Sequence, residues 1–133
     1  MTSPTTVAVV EDNLGICEEL RRIITSAPDL ACVCVCRNAR SAFQLLPGHA
    51  PDVIIMDIQL PGMNGIEALH HLRADPRTRA IPVIAVTASA MTHDRQKILA
   101  AGFDGYQPKP IEVTQFVAAV RTAVGRPAQA DPP

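Results

Sequence analysis

Three acidic residues, one threonine and one lysine in this chain sit where runs of β-branched and aliphatic residues end. Asp57 closes Val53-Ile54-Ile55-Met56 and is followed by Ile58-Gln59-Leu60-Pro61-Gly62. Glu11 and Asp12 follow Thr6-Val7-Ala8-Val9-Val10, Thr87 ends Ile81-Pro82-Val83-Ile84-Ala85-Val86, and Lys109 comes shortly after Tyr106. A carboxylate just beyond the end of a buried strand can stay hydrated and charged, whereas three residues earlier it would meet a large desolvation cost. Three carboxylates drawn together repel one another and resist full ionisation unless a cation enters. Oxygen-only ligands suit Mg²⁺, which keeps several waters and takes few protein groups. With Lys109 as a mobile positive charge and Thr87 as a hydroxyl donor, the set matches the needs of phosphoryl transfer: a nucleophile, a metal and positive groups around the equatorial oxygens.

These residues meet only if their strands run the same way. The apolar runs predict strands near residues 6–10, 30–36, 53–57 and 81–87, with a brief fifth around Tyr106. Between them lie helical patterns. Ile16, Leu20, Ile23 and Ile24, with Cys17, make one stripe over residues 13–27. Asn38 can cap a short helix through Leu46, which Pro47-Gly48 should stop. Asn64 and Glu67 have capping-box spacing ahead of Ile66, Leu69 and Leu72. Residues 91–101 form a helix poor in large apolar residues, ended by Gly102, and residues 112–124 form the last, stopping at Gly125. Five strands alternating with five helices predict a parallel sheet with helices on both faces and right-handed crossovers. All the carboxyl ends then share one edge, where ligands bind in such sheets.

Composition sets bounds on function. At 133 residues the chain is one domain, 47% hydrophobic and 19% charged, with a formal net charge of −1. Nothing in that balance draws it to nucleic acid or to an anionic membrane. No apolar run approaches the ~20 residues of a membrane span. The first residues lack the features of a signal peptide, so a cytoplasmic location is expected. Residues 1–5 read as a short N-terminal tail, 6–125 as the folded domain, and the proline-rich 126–133 as a flexible tail or linker stub.

Four segments together resemble the receiver domain of bacterial two-component response regulators, over roughly residues 5–125. They are Val9-Val10-Glu11-Asp12-Asn13, Met56-Asp57-Ile58-Gln59-Leu60-Pro61-Gly62-Met63-Asn64-Gly65, Ile81-Pro82-Val83-Ile84-Ala85-Val86-Thr87-Ala88 and Gly105-Tyr106-Gln107-Pro108-Lys109-Pro110-Ile111. The resemblance implies a flavodoxin-like (βα)5 fold with strand order 2-1-3-4-5. It implies that Asp57 accepts a phosphoryl group from a histidine kinase or histidine phosphotransfer protein. Glu11, Asp12, Asp57 and the backbone carbonyl of Gln59 would hold Mg²⁺. Lys109 would pair with Asp57 and then with the phosphoryl oxygens, and the Lys109-Pro110 peptide would be cis. Thr87 and Tyr106 would form the switch, reporting to a downstream protein target or output domain through the surface of the fourth helix, fifth strand and fifth helix. Gln59 and Ser89 are placed to influence attacking water.

Other readings differ in what they require. A haloacid-dehalogenase-type phosphatase also uses an aspartate nucleophile, but needs an acid two residues later to protonate the leaving group, and that position is Gln59. A phospho-aspartate here is therefore a state to be held. A flavin or nucleotide module on the same fold needs a phosphate cradle after the first strand, where Glu11-Asp12-Asn13 would repel phosphate. Within the receiver reading, a single-domain regulator and a receiver cut from a hybrid kinase or transcription factor both remain open. Cys32, Cys34 and Cys36 alternate along a strand and so should share a face, ~6.8 Å between neighbours, as packing residues. His70 and His71 point about 100° apart on a helix and make no chelating pair, and His49 and His93 read as surface residues.

Overall fold

A computed structural model describes the backbone of residues 4–88 and 92–129 and the side chains of 4–88 and 95–125. Ser89, Met91, the side chain of His93 and residues 130–133, on which expectations were placed, lie outside these. The elements run β1 (Thr5–Val10), α1 (Leu14–Ser26), β2 (Leu30–Cys36), α2 (Ala39–His49), β3 (Val53–Asp57), α3 (Gly65–Ala74), β4 (Val83–Thr87), α4 (Thr92–Ala100), β5 (Gly105–Pro108) and α5 (Val113–Gln129). All five strands are parallel, in the order β2-β1-β3-β4-β5. The expected flavodoxin-like arrangement is the one observed.

Strand alternation divides the core into two layers. Ala8, Val10, Ile54, Met56, Val83 and Ala85 face α2, α3 and α4, packing against Ala42, Leu46, Leu69, Leu72 and Ile98. Val7, Val9, Val53, Ile55, Ile84 and Val86 face α1 and α5, against Leu20, Ile24, Phe116 and Val120. With both faces covered, every residue of β3 and β4 is buried, which is why those strands read as unbroken apolar runs. Each fully buried Ile or Val contributes about 1.5–3 kcal/mol by leaving water.

Helix starts follow their caps. Asn13 Oδ1 accepts from Ile16 N at 3.0 Å and Asn38 Oδ1 from Ser41 N at 2.8 Å. The Asn64/Glu67 capping box is complete, with Glu67 N on Asn64 Oδ1 at 2.9 Å and Asn64 N on Glu67 Oε1 at 3.3 Å. Gly65 lies so close beneath β3 that a Cβ there would sit 2.7 Å from Ile58 Cα and 3.0 Å from Asp57 O. Only glycine fits without moving the strand end that carries Asp57.

Three expectations are corrected. α2 does not stop at Pro47-Gly48 but continues to His49, ending on Ala50 in the left-handed region (φ 45°) with its N–H on Leu46 O. A proline in the last turn forfeits one hydrogen bond, and the turn closes around it. α5 runs past Gly125 to Gln129, since one glycine costs a helix about 1 kcal/mol, too little to end it. Cys32, Cys34 and Cys36 do not share a face. Val7 pairs with Cys32 and Ala8 with Cys34, so Val33 is an extra residue that shifts the register. Cys32 packs toward α1 and α5, while Cys34 and Cys36 lie on the α2–α4 side with their sulfurs 3.5 Å apart. Burial, then the Cys34 thiol, pushes the Cys36 thiol up to about 12. It stays protonated, in keeping with packing rather than metal binding. At the next strand, β4 begins at Val83, and Pro82 lends its carbonyl to Ile54 N at 2.9 Å.

Candidate functional site

The carboxyl ends of β1, β3, β4 and β5 bring the predicted residues to one edge. Glu11 and Asp12 follow β1, Asp57 ends β3 and Thr87 ends β4. Thr87 pairs in register with Pro108, and Lys109 N donates to Thr87 O at 2.8 Å, which sets Lys109 beside the acidic residues. Carboxylate oxygens of Glu11, Asp12 and Asp57 all lie within 4.8 Å of one another. Lys109 Nζ lies 3.3 Å from Glu11 Oε1 and 3.5 Å from Asp57 Oδ2. Asp57 Oδ1 accepts the Gln59 N–H at 3.0 Å. The Lys109-Pro110 peptide is cis.

Asp57 is more enclosed than a strand-exit position suggested. It is the last residue of β3 and only 4% exposed, and Glu11 is 1% exposed. What offsets the desolvation is local: the Gln59 N–H on one Asp57 oxygen and the Lys109 ammonium on the other. Glu11 fares worse. Burial, then the hydrogen-bonding and charged Asp57 carboxyl, push its pKa up to about 7, against the opposing pull of the Asn13 N–H and Lys109. Its Oε1 is buried with no hydrogen-bond partner. A buried carboxylate oxygen that accepts no hydrogen bond and has the Lys109 ammonium beside it, in an all-oxygen cluster with exposed Asp12, fits a hard divalent cation.

The β1–α1 loop carrying two of these acids is tied down on all sides. Glu11 N donates to Cys36 O at 2.9 Å, and Cys17 Sγ reaches Glu11 O at 3.1 Å. Asn13 N donates to Glu11 Oε2 at 3.2 Å. Arg37, the first residue after β2, sets Nε and Nη2 on Asp12 O at 3.3 and 3.0 Å. Neither Cys17 nor Arg37 stood out in the sequence. Arg37's position at a strand exit put it on the correct edge, but nothing in its neighbours named its partner.

Tyr106, on β5 opposite Ala85, is half-buried against the α2–α4 layer. Thr87 is 3% exposed at the neighbouring strand end. Beneath them, Arg73 of α3 bonds Arg79 O, Ile81 O, Gly102 O and Asp104 Oδ2, and Asp104 Oδ2 accepts Val83 N. That cluster fixes the start of β4 and the approach to β5, far from the acidic edge.

Comparison with known proteins decides the family. Residues 7–121 match the family described as the response regulator receiver domain. The chain belongs to the receiver domain family. As a receiver domain it is a signalling phosphoacceptor rather than a catalytic enzyme, and its partner is a histidine kinase. It is 39% identical over 122 residues to the polar-differentiation response regulator DivK of Brucella anthropi, a match covering 92% of this chain and 98% of that one. Among solved structures, a response regulator from Chloroflexus aurantiacus superposes with a TM-score of 0.86 at 26% identity, covering 93% of this receiver and all of that chain. The receiver domain of a sensor histidine kinase from Pseudomonas aeruginosa, solved with a magnesium ion coordinated in its active-site cleft, gives 0.82 at 26% identity over 92% and 99%. No helix among the described residues is long and apolar enough to cross a membrane.

Proposed function

We propose that Asp57 is the phosphoacceptor of this receiver. A carboxylate oxygen attacks the phosphorus of a phosphohistidine on a histidine kinase or histidine phosphotransfer protein. The P–N bond breaks, the imidazole leaves with a proton, and an acyl phosphate remains on Asp57. Mg²⁺ is held by Glu11, Asp12, Asp57 and the Gln59 carbonyl. When bound it supplies charge neutralisation for the transferring group. Lys109 exchanges its contact with the Asp57 carboxylate for one with the phosphoryl oxygens. The observation that carries this reading is the placing of Lys109 Nζ within 3.5 Å of both Glu11 and Asp57, inside a cluster whose three carboxylates lie within 4.8 Å of one another.

The switch follows from charge. A phosphoryl group adds negative charge and three acceptors at the end of β3, and Thr87 at the end of β4 is the nearest hydroxyl-bearing strand terminus. Thr87 moves to donate to it and Tyr106 turns inward, altering the α4-β5-α5 surface that a downstream protein reads. Among the described side chains of α4 the buried large one is Ile98, so the helix shifts at small cost. The receiver body runs from β1 at Thr5 to the end of α5 at Gln129, rather than over residues 6–125 alone, and it works in the cytoplasm. Incubation with a small acyl-phosphate donor and Mg²⁺, followed by intact mass, tests the proposal. One phosphate should add to the wild type and none to Asp57→Asn or to a metal-depleted sample. Equal uptake by Asp57→Asn would refute it.

A further inference from the structure

We infer that Arg37 is a positioning residue for the metal site, acting by clamping the peptide that follows Asp12. This rests on the proposed role of Asp12 as a cation ligand. The β1–α1 loop has three carbonyls to anchor. Glu11 O is met by Cys17 Sγ and Asn13 O by Cys17 N in the first turn of α1. The middle one, Asp12 O, is met by the forked guanidinium of Arg37 through two hydrogen bonds. Both come from the first residue after β2. Glu11 N is held by the same strand, through Cys36 O. β2 therefore fixes the loop from both ends of the Glu11-Asp12 pair. Asp12 is exposed, and the peptide between Asp12 and Asn13 is gripped at two points, its N–H by Glu11 Oε2 at 3.2 Å and its carbonyl by Arg37. Glu11 is itself a proposed cation ligand, so Arg37 is the hold on that peptide that comes from outside the metal site. A planar fork with two donors on one oxygen resists rotation of that peptide, which a single-point ammonium does not.

The charge of Arg37 gives the inference a signed test. A guanidinium beside an acidic cluster opposes entry of a divalent cation. If Arg37 acted only through its charge, removing it would tighten Mg²⁺ binding. If it acts by orienting Asp12, removing it weakens binding despite the lost repulsion. Titration calorimetry with MgCl₂ on the full chain, for wild type, Arg37→Gln and Arg37→Lys, separates the two. Arg37→Gln should bind about threefold to tenfold more weakly, the scale of one charge-assisted hydrogen bond after partial offset. Arg37→Lys keeps the charge, loses the fork, and should also weaken. Amide hydrogen exchange on the metal-free proteins should rise at residues 11–14 and not in β3, with the thermal midpoint showing the fold intact.

Unchanged or tighter binding in Arg37→Gln, with unaltered exchange at 11–14, would overturn the inference. No binding by the wild type would instead refute the proposed metal site. The exchange measurement still judges the clamp in that case, because it needs no metal.

Discussion

Mg²⁺ affinity should rise about tenfold between pH 6 and pH 8, through the proton on Glu11. The carboxyl titrates near pH 7 in the metal-free protein because it is buried against Asp57. A metal ligand must be deprotonated, so binding competes with that proton. With a pKa of about 7, roughly a tenth of the molecules carry an ionised Glu11 at pH 6 and roughly nine-tenths at pH 8. The apparent affinity scales with the ionised fraction. Calorimetry at pH 6, 7 and 8 measures it, and titrations at pH 7 in two buffers of different ionisation enthalpy count the proton released, about half a proton per ion. Glu11→Gln cannot release it, and should bind weakly with a flat profile. An affinity constant over this range in the wild type, with no proton released, would show that Glu11 is already ionised and that its burial does not govern the site.

The same group sets a stability trend of known sign. Its folded pKa lies above the ordinary value of 4.5, so the metal-free fold is favoured below pH 4.5, and that contribution, about 3 kcal/mol, is lost as pH rises towards 7. Urea titrations of wild type against Glu11→Gln should show the slope only in the former. Gly65→Ala should destabilise by about 1–3 kcal/mol, since the added methyl meets the backbone of Ile58 and Asp57, a loss read as a lower denaturation midpoint. Arg73→Ala removes the ion pair to Asp104 and the bonds to Arg79, Ile81 and Gly102, and should cost about 2 kcal/mol while leaving phosphoryl uptake intact. Lys109→Ala should still bind Mg²⁺ but lose the phosphorylation-dependent amide shifts across residues 95–106. Unchanged shifts in the wild type would remove α4 and β5 from the output surface.

Most of the sheet was legible because parallel strands buried on both faces leave an unmistakable apolar run, and three of them, β1, β3 and β4, run out into polar side chains. That pattern placed Glu11, Asp12, Asp57 and Thr87 on one edge before any coordinates. The caps at Asn38 and Asn64 were legible for a local reason, each acting within three residues of itself, whereas Asn13, read as part of the first helix, proves to be its cap. What escaped was set by contacts distant in sequence or by backbone slips with no compositional mark. The extra residue at Val33 is β-branched like its neighbours, so nothing announced that it would part Cys32 from Cys34 and bring Cys34 against Cys36. Pro47 signalled a stop, but a proline near the end of a helix disturbs only one bond there. The burial of Asp57 and Glu11 depends on Lys109, about fifty residues further on from Asp57, and the grip of Arg37 on Asp12 spans two strands.

Locating the phosphoryl group is the most direct trial of the account. After incubation with a small acyl-phosphate donor and Mg²⁺, borohydride converts an aspartyl phosphate to the corresponding alcohol, which peptide mass spectrometry can place. The reduced residue should be Asp57 alone. Reduction at Glu11 or Asp12, or a label that survives borohydride unchanged, would contradict the assignment of the nucleophile and the roles built around it.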